Sequence, residues 1–164
     1  MTEIAIITDS DSSIPMPLAE KYKIQQIPIS IHFDDESYSA IGEINDFELF
    51  ELIDKKNKLP TTSAPPPSSF EQAFQYAFTQ GAESIICITV SSKISATYNA
   101  ALSAAESFPD REITVIDSLT LCAGQGIMVI EAAKKARDGA DKKEILALID
   151  SIRGRLHVFA VLPT

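Results

Sequence analysis

Short and almost uninterrupted apolar runs recur along the chain. They lie at Ile4–Thr8, Gln26–Phe33, Ser84–Val90, Ile113–Ile116 and His157–Leu162. Several of them lack the strict alternation of a strand with one face in solvent, which is typical of parallel strands covered by helices on both faces. The pattern therefore predicts five strands, most of them parallel.

Between these runs, apolar residues recur at helical spacing. The sequence Ser68-x-x-Glu71 predicts a capping box, in which side chains satisfy the free N–H groups of a first helical turn. Strands that alternate with helices indicate a doubly wound α/β domain. Helices are predicted to begin near Asp46, Ser68, Ser95 and Ala123, and after an Asp141 cap that has Glu144 three residues on.

The segment Leu59–Ser69 contains four prolines and is predicted to be an extended loop. A loop held this rigidly would present the hydroxyls of Thr61, Thr62 and Ser63 at fixed positions. The alternative is a plain connector between two helices. The segment by itself does not decide between these two interpretations.

The length and net charge of the chain restrict the kinds of partner that it could bind. The chain has 164 residues and a net charge of −9, which fits one globular domain and disfavours nucleic acid and anionic membrane surfaces. No apolar run approaches the roughly 20 residues that span a bilayer, and the start lacks the features of a signal peptide. We therefore expect a cytoplasmic protein without membrane insertion, in which Cys87 is a reduced, buried thiol.

Polar residues follow three of the predicted strands, at 8–13, 91–97 and 117–120. The carboxyl ends of parallel strands meet at one edge of the sheet, where such folds bind ligands. A helix that begins at Ser95 would add free N–H groups to the hydroxyls of Ser92 and Ser95, forming an uncharged cradle for an anion. Ordinary helix capping is the alternative explanation for any one of these serines.

Catalysis has weaker support. His32 and His157 both lie in strand-like runs, and no GxSxG or P-loop motif is present. Asp9-Ser10-Asp11 after an apolar strand is similar to the opening of haloacid-dehalogenase-type phosphatases, although loop capping also explains it. We predict no catalytic residue, metal or cofactor, and keep a phosphatase that uses Asp9 as an alternative.

Five segments together resemble the DegV family over essentially the whole chain. Each segment is weak alone, but their order and spacing match that family. The segments are Thr8-Asp9-Ser10 through Ile14-Pro15; 26–31 with Tyr38; Thr62-Ser63-Ala64-Pro65 with Phe70; 91–100; and Ile116-Asp117-Ser118 followed by Gly124-Gln125-Gly126.

The resemblance implies a three-layer sandwich with a five-stranded sheet in the order 2-1-3-4-5. It also implies a protein that binds a long-chain fatty acid and presents it to a fatty-acid kinase, which forms the acyl phosphate. Thr62 and Ser95 would donate hydrogen bonds to the carboxylate. The remaining implied site residues are Ser63 and Ser92 beside those donors, Asp9 and Ser10 in the adjoining loop, and Asp117, Ser118 and Gly126 in the wall of the crevice.

The resemblance also bears on domain organisation. Residues 1–164 would form the N-terminal lipid-binding domain, and the family's second domain would be absent. For this chain alone we expect weak or no lipid binding, with self-association through an exposed apolar cleft. A domain that interacts with a partner without binding lipid is a further alternative.

Overall fold

The computed structural model describes residues 3–159 as alternating strands and helices. A 3-10 turn at Ser10–Ser12 follows the first strand. The strands are β1 (Ile4–Asp9), β2 (Gln25–Ile27), β3 (Ser30–Phe33), β4 (Glu36–Ser39), β5 (Thr61–Ser63), β6 (Ser84–Thr89) and β7 (Glu112–Asp117). The helices are α1 (Met16–Lys21), α2 (Asp46–Lys56), α3 (Pro67–Thr79), α4 (Thr97–Glu106), α5 (Cys122–Arg137) and α6 (Lys142–Arg153).

The main sheet is parallel, with the strand order β2-β1-β6-β7. Successive residues of β6 point to opposite faces. Ile86 and Ile88 pack with α1, α5 and α6, whereas Ile85 and Cys87 pack with α3 and α4. The predicted three-layer α/β architecture is therefore confirmed.

The strand count differs from the prediction. The main sheet has four strands within residues 3–159, where five were expected. Of the predicted strand His157–Leu162, residues 157–159 are not in a strand, and the rest lies outside the described residues.

A second sheet was not anticipated. It is antiparallel, with the order β4-β3-β5, and one of its faces packs Ile31 and Phe33 against α2. The single strand predicted at Gln26–Phe33 is wrong, because the chain leaves the main sheet after Ile27 and enters the second sheet at Ser30. Pro28 lies at this break and lacks the N–H that a continuous strand would use.

Two helix starts also differ from the prediction. Helix α3 begins at Pro67, and Ser68 makes no capping hydrogen bond. Proline is favoured at this first position because its φ angle is preset and its missing N–H would be unpaired there anyway. Helix α4 begins at Thr97, two residues after Ser95. The segment Leu59–Ser69, predicted to be only a loop, contains β5.

The capping box at α6 is confirmed. Asp141 accepts the Glu144 N–H at 2.8 Å, and the Glu144 carboxylate accepts the Asp141 N–H at 3.0 Å. We expect Asp141→Ala to lower the free energy of unfolding by about 1 kcal/mol. Urea unfolding would measure this, with Ser68→Ala as the matched control that should change little. Equal losses in the two variants would contradict the assignment of the caps.

Candidate functional site

Asp9, at the end of β1, accepts hydrogen bonds from three segments of the chain. Its side chain is fully buried. One carboxylate oxygen accepts the Asp11 N–H at 3.1 Å, and the other accepts the Val90 N–H at 2.9 Å and the Gln125 Nε2–H at 3.1 Å. Burial raises the pKa of Asp9 to about 6, although these hydrogen bonds oppose the shift. Asp9 therefore joins the ends of β1 and β6 to helix α5.

The buried, fully engaged carboxylate of Asp9 argues against the phosphatase alternative. A nucleophilic aspartate needs an oxygen that a phosphate ester can approach, and both Asp9 oxygens accept hydrogen bonds from the protein. The neighbouring Asp11 carboxylate accepts the Cys122 N–H at 3.0 Å. Both aspartates accept hydrogen bonds from backbone N–H groups of the loops. This is the loop-capping role that the sequence suggested as the alternative to a phosphatase.

Ser10 links the two sheets. Its hydroxyl oxygen accepts the N–H of Ile29 at 2.9 Å, in the segment that connects β2 to β3. The entry into the second sheet is thereby held beside the turn that follows β1.

Asp117, at the end of β7, organises the loops after β6 and β7. Its carboxylate accepts the Ser92 hydroxyl at 2.5 Å, the Ser92 N–H at 3.1 Å and the Leu119 N–H at 3.0 Å. Partial burial raises the pKa of Asp117, but the hydrogen bonds from Ser92 and Leu119 outweigh this, so the pKa lies below its usual value. The Ser92 hydroxyl therefore donates its hydrogen to Asp117 and has none left to donate to a ligand.

Ser95 lies just before α4 and is half-buried. Its hydroxyl oxygen accepts the Thr97 N–H at 3.2 Å and lies 2.8 Å from the hydroxyl oxygen of the buried Thr97. When Thr97 donates in the hydroxyl pair, the hydrogen of Ser95 is free for a ligand. Ser95 is the hydroxyl of this loop best suited to donate to an anion.

Ser118 and Gly126 serve the framework of the site. Ser118 is buried. Its hydroxyl donates to the Thr120 carbonyl and accepts the Thr120 N–H, both at 3.2 Å. Gly126 in α5 faces the turn after β1 so closely that an added Cβ would lie 2.5 Å from the carbonyl oxygen of Ser12. Neither residue presents a polar side chain to solvent.

Thr62 and Ser63 lie in β5 at an edge of the second sheet, and both are exposed. Neighbouring strand residues point to opposite faces. Thr62 is paired with Ile31 on the face toward α2, whereas the Ser63 hydroxyl lies 2.8 Å from His32 Nε2 on the other face. Among residues 3–159, no hydrogen bond joins either hydroxyl to Ser95.

The predicted site residues thus form three groups. Gly126 and Asp9 belong to the cluster around the end of β1, and Ser10 extends it to the second sheet. Ser92, Asp117 and Ser118 form the second group, with Ser95 beside them. Thr62 and Ser63 in β5 form the third group. The sequence interpretation missed His32 and Gln125, and the buried Gln125 would have stood out only as a polar residue on an apolar helix face.

Exposed apolar side chains surround the same edge of the main sheet. Met16, Ile94, Leu119 and Ile127 are each between 48% and 63% exposed. They follow β1, β6 and β7 in the chain, so they share the edge with the hydroxyl-bearing loops. We call these four residues the apolar rim.

Other features lie elsewhere. A cavity of about 770 Å³ is lined by Ile4, Tyr22, Tyr76 and Arg137, among others, at the opposite end of the main sheet. Residues 3–159 contain no cluster of His, Cys, Asp or Glu side chains suited to a metal ion. No helix in this part of the chain is long and apolar enough to cross a membrane.

Comparison with known proteins gave one consistent family. Residues 3–164 match the family model described as "Uncharacterised protein, DegV family". A DegV domain-containing protein of Halalkalibacterium halodurans is 35% identical over 161 residues, which are 98% of this chain and 57% of that protein.

Solved structures agree with this result. The crystal structure of DegV, a fatty acid binding protein from Bacillus subtilis, superposes with a TM-score of 0.88 at 28% identity, covering 94% of this chain and 55% of that one. A stearic acid-binding protein of Eubacterium ventriosum gives 0.81 at 28% identity, covering 92% and 52%. The chain thus spans about half the length of the relatives it matches. The two solved proteins are described as fatty-acid-binding proteins, and neither is described as an enzyme.

Proposed function

Because the chain belongs to the DegV family, we propose that it forms the head-group side of a fatty-acid site at the carboxyl edge of its main sheet. In this proposal Ser95 and Thr62 donate hydrogen bonds to the carboxylate. Ser63 and Ser92 lie beside them, and the Asp9, Ser10, Asp117, Ser118 and Gly126 framework holds the loops in place. The chain serves as the N-terminal domain of a larger lipid-binding unit.

The observation that carries the proposal is the pairing of uncharged donors with an apolar border at one edge. Ser95 is half-buried, its hydroxyl hydrogen is free when Thr97 donates in the hydroxyl pair, and the apolar rim adjoins its loop. Such an edge suits a ligand with a small anionic end and an apolar remainder, since a carboxylate is well satisfied by hydroxyl and N–H donors. β5 lies at the open edge of the second sheet, so a head group there is within reach of hydroxyls from both faces.

The apolar part of the ligand supplies most of the affinity. Burial of a methylene group is worth roughly 0.8 kcal/mol. The apolar rim is exposed in this chain, so a tail lying on it stays partly in water. We expect this chain alone to bind a fatty acid weakly, and to self-associate through the same rim at high concentration.

Decanoate and 1-decanol separate the head group from the tail. The two probes share a tail, and only decanoate carries a carboxylate. We expect the chain to prefer decanoate, because its donors satisfy the anion, and Ser95→Ala or Thr62→Val to reduce this preference by roughly tenfold each, the worth of one charge-assisted hydrogen bond. Titrations followed by amide NMR shifts would measure both ligands.

Ser107→Ala and Thr79→Val are the matched controls. Ser107 lies at the C-terminal end of α4, away from Ser95, and its hydroxyl donates to the Glu71 carboxylate. The Thr79 hydroxyl donates to the Tyr76 carbonyl. Both controls should keep the wild-type preference. Equal affinity of the wild-type chain for the two probes would reject the head-group assignment and favour an interaction domain without lipid.

We further propose that the bound acid is presented to a cytoplasmic fatty-acid kinase, which transfers a phosphoryl group from ATP to the carboxylate. The chain's own residues hold the carboxylate at an exposed edge, where a second protein has access. With such a kinase and ATP, acyl phosphate formation should depend on this chain and should fall in Ser95→Ala. Formation at the same rate without the chain would contradict this role.

A further inference from the structure

His32, in the middle strand of the second sheet, joins all three strands through its side chain. Its Nδ1 lies 2.8 Å from the Ser37 hydroxyl in β4, and its Nε2 lies 2.8 Å from the Ser63 hydroxyl in β5. The strand register places His32 opposite both Ser37 and Thr61. The imidazole therefore bridges two hydroxyls on one face of the sheet.

A neutral imidazole has one N–H donor and one acceptor nitrogen, so the bridge has two possible directions. In one direction the Ser37 hydroxyl donates to Nδ1 and the Nε2–H donates to the Ser63 oxygen. The hydrogen of Ser63 is then free. In the other direction Ser63 gives its hydrogen to Nε2 and offers an anion only its lone pairs, which repel a carboxylate.

The strand residues on the face of this bridge carry no negative charge that would repel an anion. The cross-strand partners that share the face are uncharged: Ser30, Ser37, Ser39, Thr61 and Ser63. The nearest acidic residue of β4, Glu36, is paired with Phe33 on the opposite face, where Lys56 contacts it at 2.8 Å. No carboxylate of these three strands therefore competes for the Ser63 hydrogen.

We infer that His32 is a positioning residue, which fixes the Ser63 hydroxyl so that its hydrogen points outward to the ligand carboxylate. The inference rests on the proposed function and deepens it. It adds Ser63 as an oriented donor at the open edge of β5, beside Thr62, which makes no hydrogen bond to His32.

The direction of the bridge is measurable without any ligand. The ring nitrogens of His32 in a ¹⁵N-labelled chain report its tautomer by long-range NMR correlation, and His157→Gln removes the only other histidine signal. We expect one dominant tautomer, with the hydrogen on Nε2, and a shift toward the Nδ1–H tautomer in Ser37→Ala, which lacks the donor to Nδ1. A dominant Nδ1–H form in the wild-type chain, or the averaging of a free imidazole, would overturn the inference.

Decanoate binding tests the link to the head group. We expect His32→Phe and Ser63→Ala each to weaken decanoate binding by roughly tenfold relative to 1-decanol. In the Ser63→Ala background, His32→Phe should have no further effect, because His32 acts through Ser63. Additive losses, or an unchanged preference in His32→Phe, would overturn the inference.

The two proposals fail in different ways. If the wild-type chain does not prefer decanoate, the fatty-acid proposal fails, and the tautomer measured without ligand still decides the orientation of Ser63. If the wild-type chain prefers decanoate and Ser95→Ala loses the preference while His32→Phe keeps it, the fatty-acid proposal stands and the role of His32 is wrong.

Discussion

Asp9→Asn is expected to gain stability relative to the wild-type chain as the pH rises from 4 to 7, by roughly 2.4 kcal/mol over that interval. In the folded chain the Asp9 carboxyl is buried at the end of β1 and has a pKa of about 6, against 3.8 for the ordinary group. Asparagine carries no charge at any pH and so does not share this dependence.

The sign follows from proton binding. Between pH 4 and 6 the folded chain holds the Asp9 proton and the unfolded chain has released it. The folded state therefore binds more protons, and the contribution of Asp9 to stability is full below the unfolded pKa and is lost as the pH rises through 6. Asp11 and Cys87 are the titratable groups that interact electrostatically with the Asp9 carboxyl, and the charge of Asp11 raises the pKa of Asp9 further.

Gln125 is the neighbour through which the protonation of Asp9 affects the helix. Its Nε2–H donates to Asp9, while its buried Oε1 has no hydrogen-bond partner in the described structure. A protonated Asp9 has a hydrogen to donate, and rotation of the amide by half a turn would bring Oε1 to it. The same rotation would withdraw the Nε2–H groups that Gln125 donates to Thr8 Oγ1 at 2.9 Å and to the Ile88 carbonyl at 3.4 Å, so protonation of Asp9 rearranges the buried hydrogen bonds between β1, β6 and α5.

Urea unfolding of both chains between pH 4 and 7 measures the difference. Asp117→Asn is the contrasting control, because the pKa of Asp117 is lowered in the folded chain. Its contribution is present above the unfolded pKa of 3.8 and is lost only as the pH falls through and below that value, so its difference should change little between pH 4 and 7. A pH-independent difference between wild type and Asp9→Asn would show that Asp9 does not have the raised pKa.

Gly126→Ala is expected to lower the free energy of unfolding by about 3 kcal/mol, the upper range for overpacked interiors. The added Cβ would lie 2.5 Å from the Ser12 carbonyl oxygen, which is backbone and cannot rotate away. Relief requires α5 to move from the turn after β1. That movement also pulls Gln125 from Asp9, so we expect the decanoate preference to fall with the stability.

Gly154→Ala is the control for this substitution. Gly154 follows α6 at φ −69°, and its nearest contact to an added Cβ is 3.5 Å. Chemical denaturation should show little loss there, since alanine has ordinary backbone angles and room at this position. If Gly126→Ala is as stable as Gly154→Ala, then α5 does not pack on the turn as closely as described.

The layers of the fold were predictable because they depend on local pattern. The runs at β1 and β6 are apolar on both faces, and this alone requires helices on both sides of the sheet. The α6 cap was predictable because Asp141 and Glu144 interact within one turn. Ser68 was mistaken for a cap because Pro67, whose fixed φ suits the first helical position, places the N-cap at Pro66, two residues before Ser68.

The second sheet and the contacts within the site were not predictable in the same way. The break after Ile27 depends on Pro28, and β5 is only three residues long within a proline-rich segment. Asp9 and Val90 are 81 residues apart, and His32 and Ser63 are 31 apart. The carboxyl-edge loops were identified from topology, but which hydroxyl hydrogens remain free there depends on partners that no local pattern reveals.

Amide NMR mapping of decanoate and 1-decanol on the ¹⁵N-labelled chain tests the central claim most directly. The difference between the two sets of shifts locates the carboxylate. We predict that this difference is concentrated at Ser95 and at Thr62 and Ser63. A difference concentrated at Tyr22 and Arg137, around the cavity at the other end of the sheet, or no difference anywhere, would contradict the account.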